Sequence, residues 1–421
     1  MIFILEITIF LEGLVSLISI ISYKGFLLVH FFLIISIILS LVYIFVSNKI
    51  FVLNNKWLKI VLLAFVFYFA TLIGAANSND FLGGLVASQL FLLTFSSIIL
   101  YYIIDNGLKF VLIFVKGFIY SAIITSLYTI IDTLHFYLGH NHKSLNIIIF
   151  PKYFELKTNG HVLTNFQHIG HHLLLYRSSG FSWDPGITFT AVVLAFILLN
   201  ENIIQIKYKI FSLLIMFIAL IVSISKISLI ALFIYFIIKI FKNKNVQLTK
   251  TIKIKVLSFL PILSIIFLFC EGFFIPYLTY TDANFLTPGN ERHLKYFYSI
   301  IDYYKANILQ ILFGFGYRGV GVFFNKYVAW RASTGFIYKI GYGPPSTLTD
   351  LFLWGGLIGI IFWFYSYYIT FINGSNEIKL LMIILIFLMF GYTINSVWFN
   401  SIYISLFTIS YFKKSNKTIT K

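Results

Sequence analysis

The sequence predicts an all-α polytopic membrane protein of about twelve transmembrane helices with two long outer loops. Three observations carry that expectation. Of the 421 residues, 60% are hydrophobic and only 11% are charged, whereas about a quarter of a soluble domain is charged. Long apolar runs recur from end to end, many near the roughly 20 residues that cross a bilayer as a helix. The lysines also fall on one side of the runs. A transmembrane β-barrel would instead show short alternating segments.

Candidate spans lie near residues 2–22, 26–46, 58–76, 84–104, 110–134, 185–200, 209–222, 227–241, 256–277, 346–371, 379–395 and 397–412. The first opens as "MIFILEITIFLEG", which lacks a basic leading segment and carries Glu6 and Glu12, so it reads as a retained helix rather than a cleaved signal. Residues 379–412 could form one helix, but "GYTINS" (Gly391–Ser396) offers a break.

With both termini in the cytoplasm, the segments on that side hold eighteen lysines, among them Lys49, Lys56, Lys109, Lys207, Lys239 and Lys413. The short outer loops hold two, Lys24 and Lys226. That is a strong positive-inside bias. It accounts for much of the formal charge of +17 through topology and contact with anionic lipid, with no need for nucleic acid as a partner. One cysteine, Cys270, rules out a disulfide framework or a thiolate metal cluster.

The outer loops cover residues 135–184 and 278–345, and loops of that length usually carry function. They hold all four arginines of the chain, Arg177, Arg292, Arg318 and Arg331, against 27 lysines overall. Eight of the nine histidines are there too, counting His135 at the boundary. Lysine is a point charge on a flexible stem. Arginine is a planar fork of five donors that matches phosphate or carboxylate oxygens. A chain that keeps arginine for one side of the membrane, where topology does not need positive charge, points to anion binding there. The alternative is pairing with loop carboxylates such as Glu155, Asp282 or Glu291.

Local context sharpens this. Arg177 opens "RSSGFSWDPG", in which Asp184 reads as an N-cap and Pro185 as the first helical residue. A helix start beside an arginine suits a phosphate. In the second loop, "TPGNERHLKYFYSIIDYYKANILQILFGFG" reads as a surface helix that Gly314 ends. Glycines around Arg318 in "GFGYRGVG" (Gly314–Gly321) permit close approach of backbone to a ligand. "HNH" (His140–His142) and "HIGHH" (His168–His172) match no familiar metal pattern, and neither a metal nor another cofactor is expected. Histidine is the side chain suited to proton transfer near neutral pH, so His293 is a candidate for that role, or a solvated helix-start residue.

The stretches "RSSGFSWDPG", "SISKISLIALFIYFI" (Ser223–Ile237), "ILFGFGYRGVG" and "PPSTLTDLFLWGGLIGI", in that order, resemble the O-antigen polymerase and ligase superfamily, the Wzy-type polymerases and their lipid A-core ligase relatives. The resemblance implies a GT-C-like fold in the bacterial cytoplasmic membrane with the active site on its outer face. It implies glycosyl transfer from a glycan on undecaprenyl diphosphate. A hydroxyl attacks the anomeric carbon, the lipid diphosphate leaves, and neither nucleotide sugar nor metal takes part. Arg177, Arg292 and Arg318, with Arg331, would hold the diphosphate; Asp184, Glu291 or His293 would take the proton. A flippase and a chain-length regulator are the implied partners. Ligases carry a histidine before the last outer-loop helix, where this chain reads Gly343-Pro344-Pro345-Ser346-Thr347, so the resemblance favours polymerase over ligase. A lipid-linked glycan flippase is the alternative from another class; it would call for internal repeats and polar groups in broken membrane helices, and no repeat between the halves is evident.

Overall fold

A computed structural model of the protein describes residues 1–18, 22–23, 26–47, 66, 68–76, 81–105, 108–139, 144–145, 166–169, 173–176, 178–181, 185–243, 308–316, 347–391 and 402–409. Helices dominate: α1 (Ile2–Leu14), α2 (Leu28–Ser47), α3 (68–76), α4 (Phe81–Asp105), α5 (Lys109–Leu138), α6 (Pro185–Asn200), α7 (Lys209–Val222), α8 (Lys226–Asn243), α9 (Ile308–Phe313), α10 (Thr347–Asn373), α11 (Asn376–Gly391) and α12 (402–409). Two antiparallel hairpins complete the described chain, β1 (Ser22–Tyr23) with β2 (Phe26–Leu27), and β3 (Phe166–Ile169) with β4 (Leu173–Tyr176).

The chain is a helical membrane protein. Among the described residues, Leu28–Ser47, Lys109–Leu138 and Leu353–Asn373 are long and apolar enough to cross a bilayer. Shorter apolar helices accompany them, including Thr188–Asn200, Lys209–Val222 and Ile227–Lys239. The described surface is more apolar than a soluble protein's, and buried hydroxyls sit among an apolar core. Large apolar side chains such as Phe31, Phe45, Ile210, Phe233 and Ile361 stand exposed, while Ser36, Ser97, Thr125, Ser126, Thr190, Thr370 and Thr408 are buried. Many of the buried hydroxyls donate to a carbonyl one turn back, as Ser126 does to Ala122 and Thr370 to Ser366, which satisfies them inside the helix.

Most expected runs coincide with a helix. The first does not: α1 ends at Leu14 rather than reaching residue 22. Its 13 residues rise about 20 Å. Beyond it the chain turns, and the Leu17 N–H donates to the Ser121 Oγ of α5 at 3.4 Å. That hydroxyl replaces the helical acceptor, and β1 follows. The expected span 256–277, with Glu271, and residues 392–396 of the expected break lie outside the described residues.

The centre of the bundle is α6. Every residue from 188 to 199 is buried, so the helix has no polar face and must be surrounded. It packs on α5, α7, α8 and α11. Helix α1 crosses α5 at a glycine pair. A Cβ on Gly13 would stand 2.2 Å from the Phe114 carbonyl oxygen, and one on Gly117 would stand 2.3 Å from that of Phe10. Small residues let membrane helices approach this closely.

Three carboxylates on or next to the described helices are paired. The Glu6 carboxylate meets Lys109 at 2.6 Å. Glu12 is fully buried; its Oε2 accepts from Ser36 at 2.7 Å and from the Tyr101 hydroxyl. Glu201 accepts from the Tyr235 hydroxyl and meets Lys239 at 3.1 Å. The partners of Glu6 and Glu12 come from other helices, α5 for the first and α2 and α4 for the second.

The glycine crossing makes a direct prediction. Gly117→Ala forces two backbones apart and should lower stability by about 1–3 kcal/mol, read as a fall in melting temperature of the detergent-purified protein.

Candidate functional site

The described part of the first long loop gathers on the last turns of α5. Thr125, Tyr128 and Thr129, then Asp132, then Phe136 recur at spacings of three and four, which puts them on one stripe of the helix. The hairpin β3–β4 pairs Phe166 with Tyr176, Gln167 with Leu175, His168 with Leu174 and Ile169 with Leu173. Its end delivers Tyr176 onto that stripe. The Tyr176 ring stacks on Phe136 at 3.9 Å between centroids, 11° from parallel. Its backbone N–H donates to the Tyr137 hydroxyl oxygen at 3.0 Å.

Asp132 is the centre of this contact and is fully buried. Its Oδ1 accepts from the Leu145 N–H at 2.7 Å and from Ser144 Oγ at 3.2 Å. Its Oδ2 accepts from the Tyr176 hydroxyl at 2.6 Å and, more distantly, from Ser144 Oγ at 3.5 Å. A carboxylate has about four lone-pair sites, and donors face both of these oxygens. Asp132 therefore anchors the chain at residues 144–145 and at Tyr176. Burial, and next to it the Asp132 charge and hydrogen bond, push the Tyr176 phenol well above its ordinary range, so the hydroxyl stays a donor.

The chain beyond residue 177 is held as tightly. Ser178, Ser179 and Gly180 are completely buried. The Ser179 carbonyl accepts from Thr188 Oγ1 of α6 at 3.1 Å, and the Gly180 N–H donates to Ser178 Oγ at 3.2 Å. Gly180 has φ +63, and a Cβ there would lie 2.6 Å from Thr125 Cγ2, so only glycine fits. Phe181 stacks on Tyr128 at 4.1 Å. The helix that follows starts at Pro185, as the sequence predicts.

The second site stretch has its own seat. Helix α9 ends at Gly314, whose φ of +74 and N–H bond to the Gln310 carbonyl at 2.7 Å make it a left-handed stop. Next, the Phe315 N–H donates to the Leu353 carbonyl at 2.7 Å. That carbonyl lies beside the kink of α10 at Gly356, where φ is 61 and ψ is −154, a region open essentially to glycine alone. A Cβ on Gly314 would meet the Trp354 carbonyl at 2.5 Å, and one on Gly316 would meet the Ala75 N at 2.7 Å. The sequence reading gave this glycine run to close approach of a ligand. For Gly314 and Gly316 the close neighbour is protein backbone instead, because these residues thread between the α10 kink and residues 74–75.

Arg177, Asp184, Glu291, Arg292, His293, Arg318 and Arg331 lie outside the described residues, as do Gly319 and Gly321. No family model matches the chain, and comparison with characterised proteins and with solved structures finds no significant match. Asp132 and Tyr176 are the residues that sequence reasoning passed over. The available signal was a lone aspartate near the end of an apolar run, since an ionisable residue in a membrane helix is expensive unless it has a task. No group of three or more His, Cys, Asp or Glu that could hold a metal occurs among the described residues.

The raised Tyr176 phenol sets an alkaline prediction. Its proton is retained in the folded protein and lost from the unfolded chain above pH about 10, so its contribution is complete below that pH and declines above it. Tyr176→Phe should therefore melt earlier than wild type at neutral pH, with the gap narrowing as the pH is raised beyond about 10. A gap that is constant or widens with pH would contradict this assignment.

Proposed function

We propose that the protein is a polymerase of undecaprenyl-diphosphate-linked oligosaccharide repeat units, of O-antigen or a similar surface polysaccharide. It would act at the outer face of the bacterial cytoplasmic membrane through a twelve-span, GT-C-like bundle. One observation carries the reading. All four arginines lie in the two long outer loops, and two of the arginine stretches adjoin buried anchors, Tyr176 with Ser178–Gly180 on one and Gly314–Gly316 on the other.

The chemistry needs little else. An acceptor hydroxyl oxygen bonds to the anomeric carbon of the lipid-linked sugar. The bond from that carbon to the diphosphate oxygen breaks, and its electron pair leaves with the lipid diphosphate. Asp184, Glu291 or His293 takes the proton from the attacking hydroxyl. The leaving diphosphate gains negative charge in the transition state, so preorganised guanidinium groups lower the barrier directly. Arg177, Arg292 and Arg318, together with Arg331, supply them. The order of motifs shared with the polymerase and ligase superfamily supports this reading, as does the missing histidine before residue 347.

Deletion followed by electrophoresis of surface polysaccharide tests it. A single repeat unit on the acceptor supports polymerase. Full-length polymer stranded on the lipid carrier supports ligase, and repeat units trapped on the inner leaflet support a flippase. Arg177→Lys and Arg318→Lys keep the charge and lose the fork; each should insert normally in the membrane and lower polymer formation by about 10- to 100-fold. Full activity in both variants would remove the bidentate argument.

A further inference from the structure

We infer that Glu12 is a proton-binding site inside the helix bundle, where one proton bound to its carboxyl is shared among Glu12 of α1, Ser36 of α2 and Tyr101 of α4. The ligand is the proton itself. The site lies apart from both long outer loops and stands whether or not the polymerase reading does.

A count of protons points there first. The Ser36 Oγ stands 2.7 Å from Glu12 Oε2, 2.8 Å from the Leu33 carbonyl oxygen and 2.5 Å from the Tyr101 hydroxyl oxygen. The Tyr101 hydroxyl also meets Glu12 Oε2. Each hydroxyl has one proton to give, and an ionised carboxylate has none. With Glu12 ionised, two protons must therefore serve four contacts between oxygens. A proton on Oε2 serves a third: Oε2–H donates to Ser36, Ser36 donates to the Leu33 carbonyl, and Tyr101 donates to Oε2. When that proton leaves, Ser36 rotates its hydroxyl from Leu33 to Oε2, so the same side chains accommodate both states.

Charge points the same way. Glu12 is completely buried, and no donor reaches its Oε1. A neutral carbonyl oxygen costs far less to leave unpaired than a charged one. Tyr101 is the titratable group that faces Glu12, and among the described residues no lysine or histidine meets it. Lys109 of α5 pairs with Glu6, Lys116 of α5 is exposed, and His30 of α2 forms no ion pair with Glu12. Glu12 also lies in the last turn of α1, where the negative end of the helix dipole disfavours an anion. An apolar residue would pack these helices without such costs, and an ionisable group kept inside a membrane bundle usually has a task.

Infrared difference spectroscopy of the purified full chain in lipid nanodiscs at neutral pH tests the site. Wild type minus Glu12→Gln should show the C=O stretch of a protonated carboxylic acid, lost in the variant and moved to lower frequency in heavy water. Loss of a carboxylate band in its place overturns the assignment. Glu12→Gln should melt close to wild type, because the amide keeps the shape and the neutrality of the acid. Should that variant fail to fold, Ser36→Ala and Tyr101→Phe carry the test with Glu12 intact. Each removes one hydrogen bond to the acid and should shift the same band without abolishing it; a band that neither variant moves does not belong to Glu12 and overturns the assignment. The spectra are repeated with sodium chloride in place of choline chloride. An acid band unchanged by sodium supports a proton site, whereas its replacement by a carboxylate band makes this a metal-cation site and overturns the proton assignment.

Discussion

The constraint on which the structure depends is that its outside is apolar. A membrane chain whose described surface displays large apolar side chains such as Phe45 and Ile210 has little water in which to place a stray polar group, so partners within the chain are favoured. The carboxylates show the solution most clearly. Glu12, Asp132 and Glu201 sit on or beside different helices, and each accepts a hydrogen bond from a tyrosine hydroxyl, Tyr101, Tyr176 and Tyr235 respectively. A tyrosine suits this task because its ring packs as an apolar body while its tip donates. A serine supplies a further donor at two of the three, Ser36 at Glu12 and Ser144 at Asp132, where the Leu145 N–H donates as well.

Close approach is the second recurring device. Gly13 and Gly117 bring α1 against α5, Gly314 and Gly356 bring the end of α9 into the α10 kink, and Gly74 and Gly316 bring it against α3. In the second case the geometry also disposes of a liability. A kinked helix leaves carbonyls without their usual donors, and the Leu353 carbonyl accepts from Phe315 instead. The glycines that look in sequence like a ligand-binding loop are in part a seam between elements. The same seam leads directly into Tyr317 and Arg318, so chain geometry and candidate chemistry share one anchor.

Much of the helical plan is legible without coordinates. The runs near 185–200 and 209–222 emerge as Pro185–Asn200 and Lys209–Val222, because an apolar run of that length has one stable conformation in a bilayer and proline marks its start. The class of the chain, its excess of lysine over arginine and the confinement of arginine to residues 177–331 are likewise properties of composition and order. They need no tertiary contact to be read.

What the sequence could not decide is where the runs stop for reasons of packing and which polar groups meet. Helix α1 ends at Leu14, and just beyond it the Leu17 N–H finds Ser121, more than a hundred positions away. Asp132 looks like one more residue in an apolar run until the β3–β4 hairpin returns Tyr176 to it across 44 positions. Gly314 and Gly316 could serve a ligand or a neighbour, and only the kink in α10 settles their use. Composition and periodicity report how each segment is solvated, which is local. Partner choice depends on which segments the fold brings together, and that is a property of the whole chain.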